Sequence, residues 1–183
     1  KTGYTGEDGV ELYAPADQAE KLWDLVLETG KDDGLIPCGL GARDTLRMEA
    51  AMPLYGHEMN DDVTPLETGL NFAVKMKKDD FIGKSAMEEA GAPTIKRVGL
   101  KVTGRGIIRE EQTIYVEDAS APDGRKEIGH TTSGTHCPFL GEPVGMGLID
   151  KEYAEVGNKL IVDVRGRMVE VEIVPLPFYT RAK

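Results

Sequence analysis

The second half of the sequence is dominated by short runs in which apolar and polar residues alternate. A period of two is typical of a β-strand that has one face in a core and the other in water. Residues 165–167, Arg-Gly-Arg, separate the last two runs closely enough for a hairpin turn, and residues 117–127, EDASAPDGRKE, separate earlier ones. The apolar positions are Val98, Leu100 and Val102; Ile114 and Val116; Leu160, Val162 and Val164; and Val169, Val171 and Ile173. The pattern predicts an antiparallel barrel or sandwich.

The first half has a mixed pattern of helical and strand signals. Residues 88–96, EEAGAPTIK, break that pattern with Gly91 and Pro93. We therefore expect an α+β chain with two parts. Residues 1–92 are expected to form a partial α+β region, and residues 93–183 a C-terminal antiparallel β-barrel.

Local signals in the first part predict a hairpin and a helix. In the opening residues, KTGYTGEDGVELY, glycines punctuate the chain and Val10 and Leu12 alternate with polar residues, which predicts two strands around an acidic turn. Asp17 followed by Glu20 has the spacing of a helix capping box, and Gly30 is a suitable stop. An amphipathic helix is expected between them.

Residues 39–56 combine good helix formers with a glycine-rich entrance and Pro53, and they predict a short helix. Arg47 has Asp44 one turn back, an exposed ion pair worth about 0.2–0.5 kcal/mol. Arg43 has no acidic residue at that spacing and lies in the first turn, where a cation opposes the helix dipole. Its charge needs compensation from a tertiary carboxylate or from an anionic or carbonyl-bearing ligand.

Composition and cysteine spacing exclude several classes of function. The 32 acidic and 22 basic residues give a net charge of -10, which opposes binding to nucleic acid or to an anionic membrane, and no apolar run has the length of a bilayer span. Cys38 and Cys137 have no CxxC spacing, which favours the cytoplasm, or the mitochondrial matrix in a eukaryote. His130, His136 and Cys137 match no zinc pattern, so we expect no metal.

Four segments resemble the aminomethyltransferase (T-protein) family of the glycine cleavage system. They are residues 2–13, TGYTGEDGVELY; residues 40–59, LGARDTLRMEAAMPLYGHEM; residues 64–75, TPLETGLNFAVK; and residues 128–150, IGHTTSGTHCPFLGEPVGMGLID. The last is similar to the family's G-x-x-T-S-G segment before its V-G-x-G strand. The form G-Y-T-G-E-D-G favours this family over folate-dependent relatives such as dimethylglycine and sarcosine dehydrogenases.

The resemblance implies a reaction and a set of contacts. An aminomethyl group on the lipoyl arm of the H-protein is transferred to tetrahydrofolate as one-carbon acceptor, and ammonia is released. The resemblance places Glu11 against the pterin and Arg43 and Arg181 against other parts of the folate; by pattern alone, Glu11 faces either water or a cleft. Tyr4 is expected to supply an aromatic wall or a hydroxyl to the same cleft. Arg109 is expected to support it.

The resemblance also implies parts that this sequence does not contain. Members of the family carry a preceding region that supplies part of the central domain and an aspartate that orients the folate amine. No motif here matches the surroundings of that aspartate, so we expect no catalytic residue in this chain. We expect the chain to be a C-terminal portion of the enzyme that is inactive alone. Two alternatives stay open: a non-catalytic folate-binding or scaffolding module, and a related folate-dependent demethylase.

Overall fold

The computed structural model describes residues 3–181, and within them helices precede a β-barrel. The helices are α1 (Ala19–Thr29), α2 (Leu40–Glu49) and α3 (Lys84–Ala90), with single 3-10 turns at Ala16–Gln18 and Lys151–Tyr153. The strands are β1 (Ile95–Val102), β2 (Thr113–Glu117), β3 (Arg125–Cys137), β4 (Glu142–Asp150), β5 (Lys159–Val164) and β6 (Arg167–Val174). None of the helices within residues 3–181 is long and apolar enough to cross a membrane.

The six strands form a closed barrel in the order β1-β4-β3-β2-β5-β6, and every pair is antiparallel. Closure removes the unpaired strand edges that an open sheet would present. The alternating apolar residues fill the interior, where Leu100, Ile114, Val162 and Val171 are each 0% exposed. The predicted α+β class and C-terminal barrel are confirmed. The division of the chain at residue 92 stays a prediction.

The predicted hairpin turn at residues 165–167 is present, and it consists of the two residues Arg165 and Gly166, because Arg167 already belongs to β6. Arg165 and Gly166 have φ values of 56° and 83°, the left-handed conformation at both centres of a type I′ turn. Glycine adopts this conformation without steric cost, whereas arginine does not. The backbone N–H of Gly166 also donates to Asp163 Oδ1 at 2.5 Å.

Strand β3 contains a bulge that matters for the site. Thr131 pairs with Gly147 and Ser133 with Met146, so Thr132 is an extra residue on β3. In a regular strand neighbouring side chains point to opposite faces, but a bulge re-aims them. Thr131, Thr132 and Ser133 are consequently all buried, at 0%, 1% and 3% exposure.

The hairpin predicted in the opening residues is wrong. Residues 3–15 form bends and irregular backbone, and Val10 and Leu12 remain 72% and 60% exposed. A two-stranded hairpin is marginal unless a third strand or a packing partner covers it, and neither is present in the described residues. The glycine-rich part packs instead: a Cβ on Gly6 would lie 2.6 Å from Ala50 Cβ.

The capping box predicted for α1 is also wrong. Asp17 lies inside the 3-10 turn Ala16–Gln18, and Gln18 caps α1 without a side-chain hydrogen bond. Pro15, whose carbonyl accepts the Gln18 N–H at 3.0 Å, starts the helical turn before Asp17 can act as a cap. The predicted stop is confirmed, because α1 ends at Thr29 and Gly30 is its C-cap.

Candidate functional site

A buried ion pair lies where α2 meets the barrel. Arg47 is 1% exposed and Glu58 is 0% exposed, and Arg47 Nη1 lies 3.0 Å from Glu58 Oε2. Arg47 Nη2 donates to Ser133 Oγ at 2.9 Å, and Nε donates to Asp44 Oδ1 at 2.8 Å. The expected contact with Asp44 is present, but the expectation that it is an exposed surface pair is wrong, because α2 packs against β3 and buries the arginine.

The Glu58 carboxylate accepts hydrogen bonds from several donors. Leu54 N–H donates to Oε2 at 2.9 Å, Thr132 Oγ1 donates to Oε1 at 2.7 Å, and Ser133 Oγ donates to the same oxygen. The bulge at Thr132 is what aims two consecutive hydroxyls at one carboxylate. Together with Arg47 these donors satisfy the hydrogen-bonding capacity of the buried Glu58 carboxylate.

Tyr4 and Arg43 form a stacked pair beside this network. The Arg43 guanidinium carbon lies 4.7 Å from the centroid of the Tyr4 ring, within the range of a cation–π contact. Arg43 forms no ion pair within residues 3–181, so neither a tertiary carboxylate nor a helix neighbour neutralises its charge. α2 also has no acidic residue in its first turn. The guanidinium therefore keeps its hydrogen-bonding capacity for another group.

The surroundings of the Tyr4 hydroxyl are charged and partly buried. Burial raises the pKa of Tyr4 above its ordinary value; Glu58 adds to this, while Arg47, Arg43 and Arg97 oppose it. Arg97 is the least satisfied of these groups. Its Nη1 donates to Ala51 O at 2.7 Å, but its buried Nε has no hydrogen-bond partner, and burial lowers its pKa.

Glu11 lies further along the loop that carries Tyr4. Its side chain is exposed and has no hydrogen bond or ion pair within the described part of the chain. The Glu11 carboxylate is therefore accessible, and no other residue within 3–181 binds it.

Arg181 is tied to the same loop from the C-terminal end of the described chain. Its Nη1 lies 2.7 Å from Asp8 Oδ1. Nearby, Tyr179 Oη donates to Glu7 Oε1, and Tyr179 N–H donates to the carbonyl of Glu49 on α2 at 2.8 Å. The C-terminal segment thus holds the loop of Tyr4 and Glu11 against the end of α2.

Arg109 is placed differently from the other predicted residues. Its Nη1 donates to Thr135 Oγ1 at 3.0 Å and to Gly134 O at 3.3 Å. It lines an open groove of about 1080 Å³ between α2 and the barrel, and neither Tyr4 nor Arg43 lines that groove. The structure brings Tyr4 and Arg43 together and ties Arg181 to their loop, but it does not place Arg109 with them.

Cys137 has no sign of a nucleophilic role. It is 0% exposed, and burial raises the pKa of its thiol to about 12, with Glu49 adding to the shift. Within residues 3–181, no group of three His, Cys, Asp or Glu side chains is arranged to hold a metal ion.

Comparison with known proteins identifies the family. A family model described as "GCVT N-terminal domain" matches residues 1–78, and one described as "Glycine cleavage T-protein C-terminal barrel domain" matches residues 96–180. The chain belongs to the glycine cleavage T-protein family of aminomethyltransferases. The barrel of this family member is thus the part matched by the second model.

Individual relatives agree with this assignment. Aminomethyltransferases from Bacillus cereus and Bacillus cytotoxicus are each 47% identical over 187 aligned residues, which cover 100% of this chain and 49% of the relative. The crystal structure of glycine cleavage system aminomethyltransferase T from Bartonella henselae matches with a TM-score of 0.84 at 34% identity, covering 97% of this chain and 48% of that one. The chain therefore spans about half the length of the relatives it matches.

Proposed function

We propose that these residues form the folate-facing half of an enzyme that transfers an aminomethyl group from the lipoyl arm of the H-protein to tetrahydrofolate, releasing ammonia. The observation that carries the proposal is the Tyr4–Arg43 pair, in which an arginine without a carboxylate partner among the described residues stacks at 4.7 Å on an aromatic ring. The membership of the chain in the T-protein family supports the choice of reaction.

Glu11 is assigned to the pterin. The aminopyrimidine edge of a pterin presents adjacent N–H donors, and a carboxylate accepts two such donors as a bidentate pair. The Glu11 carboxylate is exposed and has no partner among the described residues, so binding requires no existing contact to break.

The cationic side chains are assigned to the oxygens of the folate. Arg43 is assigned to a carbonyl or tail carboxylate, with the Tyr4 ring as one wall of the cleft. Arg181 is assigned to the tail as well, and to do so it must exchange its contact with Asp8, now 2.7 Å away, for the ligand. Arg109 does not lie beside the Tyr4–Arg43 pair, so it is assigned no direct contact with the folate. Its assigned role is to support the cleft through its hydrogen bond to the Thr135 hydroxyl.

The chemical step is assigned to the intact enzyme. The aspartate implied by the family resemblance has no matching motif in residues 1–183. Holding the folate amine against the carbon on the lipoyl arm needs a closed cleft, because effective molarity depends on fixing both reactants. Residues 1–183 supply binding and orientation in this proposal, and no general acid or base.

Titration of tetrahydrofolate into single variants tests the binding half of the proposal. Glu11→Gln and Arg43→Ala each remove a charge-assisted contact, so each should weaken binding by about 1.5–3 kcal/mol. Matched controls are Glu20→Gln and Arg105→Ala, which change exposed residues of the same charge. Unchanged affinity in both test variants would remove these residues from the folate site.

A chimaera tests the reaction. Residues 1–183 would replace the matching half of the Bacillus cereus aminomethyltransferase, and ammonia release would be followed with aminomethylated H-protein and tetrahydrofolate. Turnover that falls in the Glu11→Gln chimaera supports the proposal. A folded chimaera that binds folate without releasing ammonia would favour a non-catalytic module, and turnover of a methylated amine instead would favour a demethylase.

A further inference from the structure

The loop that carries Tyr4 and Glu11 is held in place mainly by its side chains. Residues 3–14 contain no helix or strand, and no backbone–backbone hydrogen bond joins them to another part of the described chain. A ligand that binds a loose segment must order it, and that ordering costs conformational entropy at the moment of binding. The side-chain contacts of the loop therefore affect how well it can bind a ligand.

Two consecutive acidic residues of the loop are held by the C-terminal segment. Glu7 Oε1 accepts the hydrogen bond from Tyr179 Oη, and Asp8 Oδ1 lies 2.7 Å from Arg181 Nη1. We call these two contacts the clasp. Both lie between Tyr4 and Glu11 in the sequence, so the clasp holds the loop between its two folate-facing side chains.

The C-terminal side of the clasp is fixed to the rest of the molecule. Tyr179 N–H donates to Glu49 O at 2.8 Å, and the Tyr179 ring packs edge-on against Phe139, with 5.0 Å between the ring centroids. Just before it, Leu176 and Phe178 pack against a cluster of buried side chains from α2, β3 and β4. The ring of Tyr179 is thus supported on several sides, and its hydroxyl is the part that reaches the loop.

The two contacts of the clasp behave differently in the proposed folate complex. Arg181 must leave Asp8 to bind the folate tail, whereas Tyr179 is not assigned to the ligand. The hydrogen bond between Tyr179 and Glu7 can persist in that complex, and it then keeps the loop attached to the C-terminal segment while Arg181 is engaged elsewhere.

We infer that Tyr179 and Glu7 are positioning residues for tetrahydrofolate, which fix the loop so that Glu11 faces the pterin while Arg181 engages the tail. The inference rests on the proposed function and adds two residues that the ligand does not touch. A loop that is held before the ligand arrives loses less entropy on binding, so the hydrogen bond raises affinity without a contact of its own.

Calorimetric titration of tetrahydrofolate into variants of the 183-residue protein tests the inference. Tyr179→Phe keeps the ring and removes the donor, so it should weaken binding about three- to tenfold, the range expected for one hydrogen bond. Glu7→Ala should weaken binding as much. Glu7→Gln keeps a neutral acceptor, and it should retain more affinity than Glu7→Ala.

Tyr153→Phe is the matched control. The Tyr153 hydroxyl lies in the 3-10 turn after β4, on the barrel, and it accepts a hydrogen bond from Lys126 Nζ at 3.1 Å. Its removal also breaks one hydrogen bond with a charged side chain, but it should change folate affinity less than about twofold, because distant sites act independently.

Dependence on Glu11 separates positioning from a general loss of structure. If Tyr179 acts by placing Glu11, Tyr179→Phe should weaken binding less than about twofold in a Glu11→Gln background, since coupled residues are not additive. Digestion with a glutamate-specific protease gives a second measurement that needs no folate. Cleavage after Glu11 should be several-fold faster in Tyr179→Phe than in the wild-type protein or in Tyr153→Phe, because proteases cleave loosely held loops.

Four results would overturn the inference. Unchanged affinity in Tyr179→Phe, with binding weakened in Glu11→Gln, would leave the proposed function standing and remove the clasp from it. Equal losses in Tyr179→Phe and Tyr153→Phe would show a general effect on the protein. A full Tyr179→Phe loss in the Glu11→Gln background would show that Tyr179 does not act through Glu11. Absence of folate binding by the wild-type protein would overturn the proposed function and this inference together.

Discussion

Arg47 Nη1 lies 3.0 Å from Glu58 Oε2, and neither side chain is exposed to water by more than 2%. The pair joins α2 to the segment that follows it, and the Ser133 hydroxyl extends the contact to β3 of the barrel. Replacing both partners together with apolar residues of similar volume often leaves the free energy of unfolding nearly unchanged. Removal of one partner is costly, because it leaves the other charge buried without compensation.

Glu58→Gln should therefore destabilise the protein by about 3–5 kcal/mol. Urea unfolding, followed by circular dichroism, measures the free energy of unfolding. The matched control is Lys101→Gln, which breaks the contact with Glu142 at 2.7 Å between half-exposed side chains and should cost less than about 1 kcal/mol. Equal effects of the two substitutions would show that burial does not set the strength of the Arg47 contact.

Thiol labelling should distinguish the two cysteines. Cys38 is exposed and should react readily with a thiol reagent, while Cys137 is buried and its thiol pKa is raised to about 12. Only the thiolate is nucleophilic, so Cys137 should be labelled at the rate of global unfolding. Mass spectrometry after mild labelling, with and without urea, measures this; prompt labelling of Cys137 in the native protein would contradict the burial of its thiol.

The raised Cys137 pKa also predicts a pH dependence of stability. Between the ordinary thiol pKa of 9.0 and the folded value of about 12, the unfolded chain releases the proton while the folded chain keeps it. The stabilising contribution is thus complete below the lower value and is lost as the pH rises through this window. Unfolding free energy should fall more steeply as the pH rises above about 9 towards about 11 in the native protein than in Cys137→Ala, in which this proton is absent.

Arg165→Asn should stabilise the protein, by about 1 kcal/mol, because asparagine tolerates the left-handed conformation at φ 56° that arginine adopts there. Thermal unfolding of the variant measures the effect. Arg167→Gln, at the first residue of β6, is the control, since no such relief is available to it. A lower unfolding temperature in Arg165→Asn would show that this turn carries no strain.

The barrel was predictable because its strands are amphipathic and its turns are local. Alternation at Leu160, Val162 and Val164 requires no knowledge of distant residues, and neither does the two-residue turn at Arg165. The hairpin predicted around Glu11 used the same kind of signal and was wrong. Alternation at two positions does not make a strand when no sheet is available among the described residues to bury Val10 and Leu12.

The Arg47–Glu58 network was not predictable in the same way. Asp44, one turn before Arg47, is enough to explain the arginine's charge from the local sequence. Its buried partners, Glu58 and Ser133, lie 11 and 86 residues away in the sequence. The bulge at Thr132, which directs two hydroxyls towards Glu58, cannot be predicted from the alternation of apolar and polar residues. A signal was present in the run T-T-S-G at residues 131–134, since consecutive hydroxyl side chains need hydrogen-bond partners wherever a strand is buried.

Helix α1 should unfold before the barrel. It has 11 residues and no buried one, and Trp23 on it is 54% exposed. A helix of this length is marginal without tertiary packing, whereas the barrel strands bury a continuous core. Hydrogen exchange should be fast in residues 19–29 and slow in residues 95–102 and 142–150.

Trp23 is the single tryptophan of the sequence, so its fluorescence reports on α1 and should change at a lower urea concentration than the circular dichroism of the strands. Trp23→Phe, followed by circular dichroism, checks that the tryptophan itself does not set the barrel transition. Coincident transitions, with equal exchange protection in α1 and the barrel, would show instead that the two parts unfold as one cooperative unit.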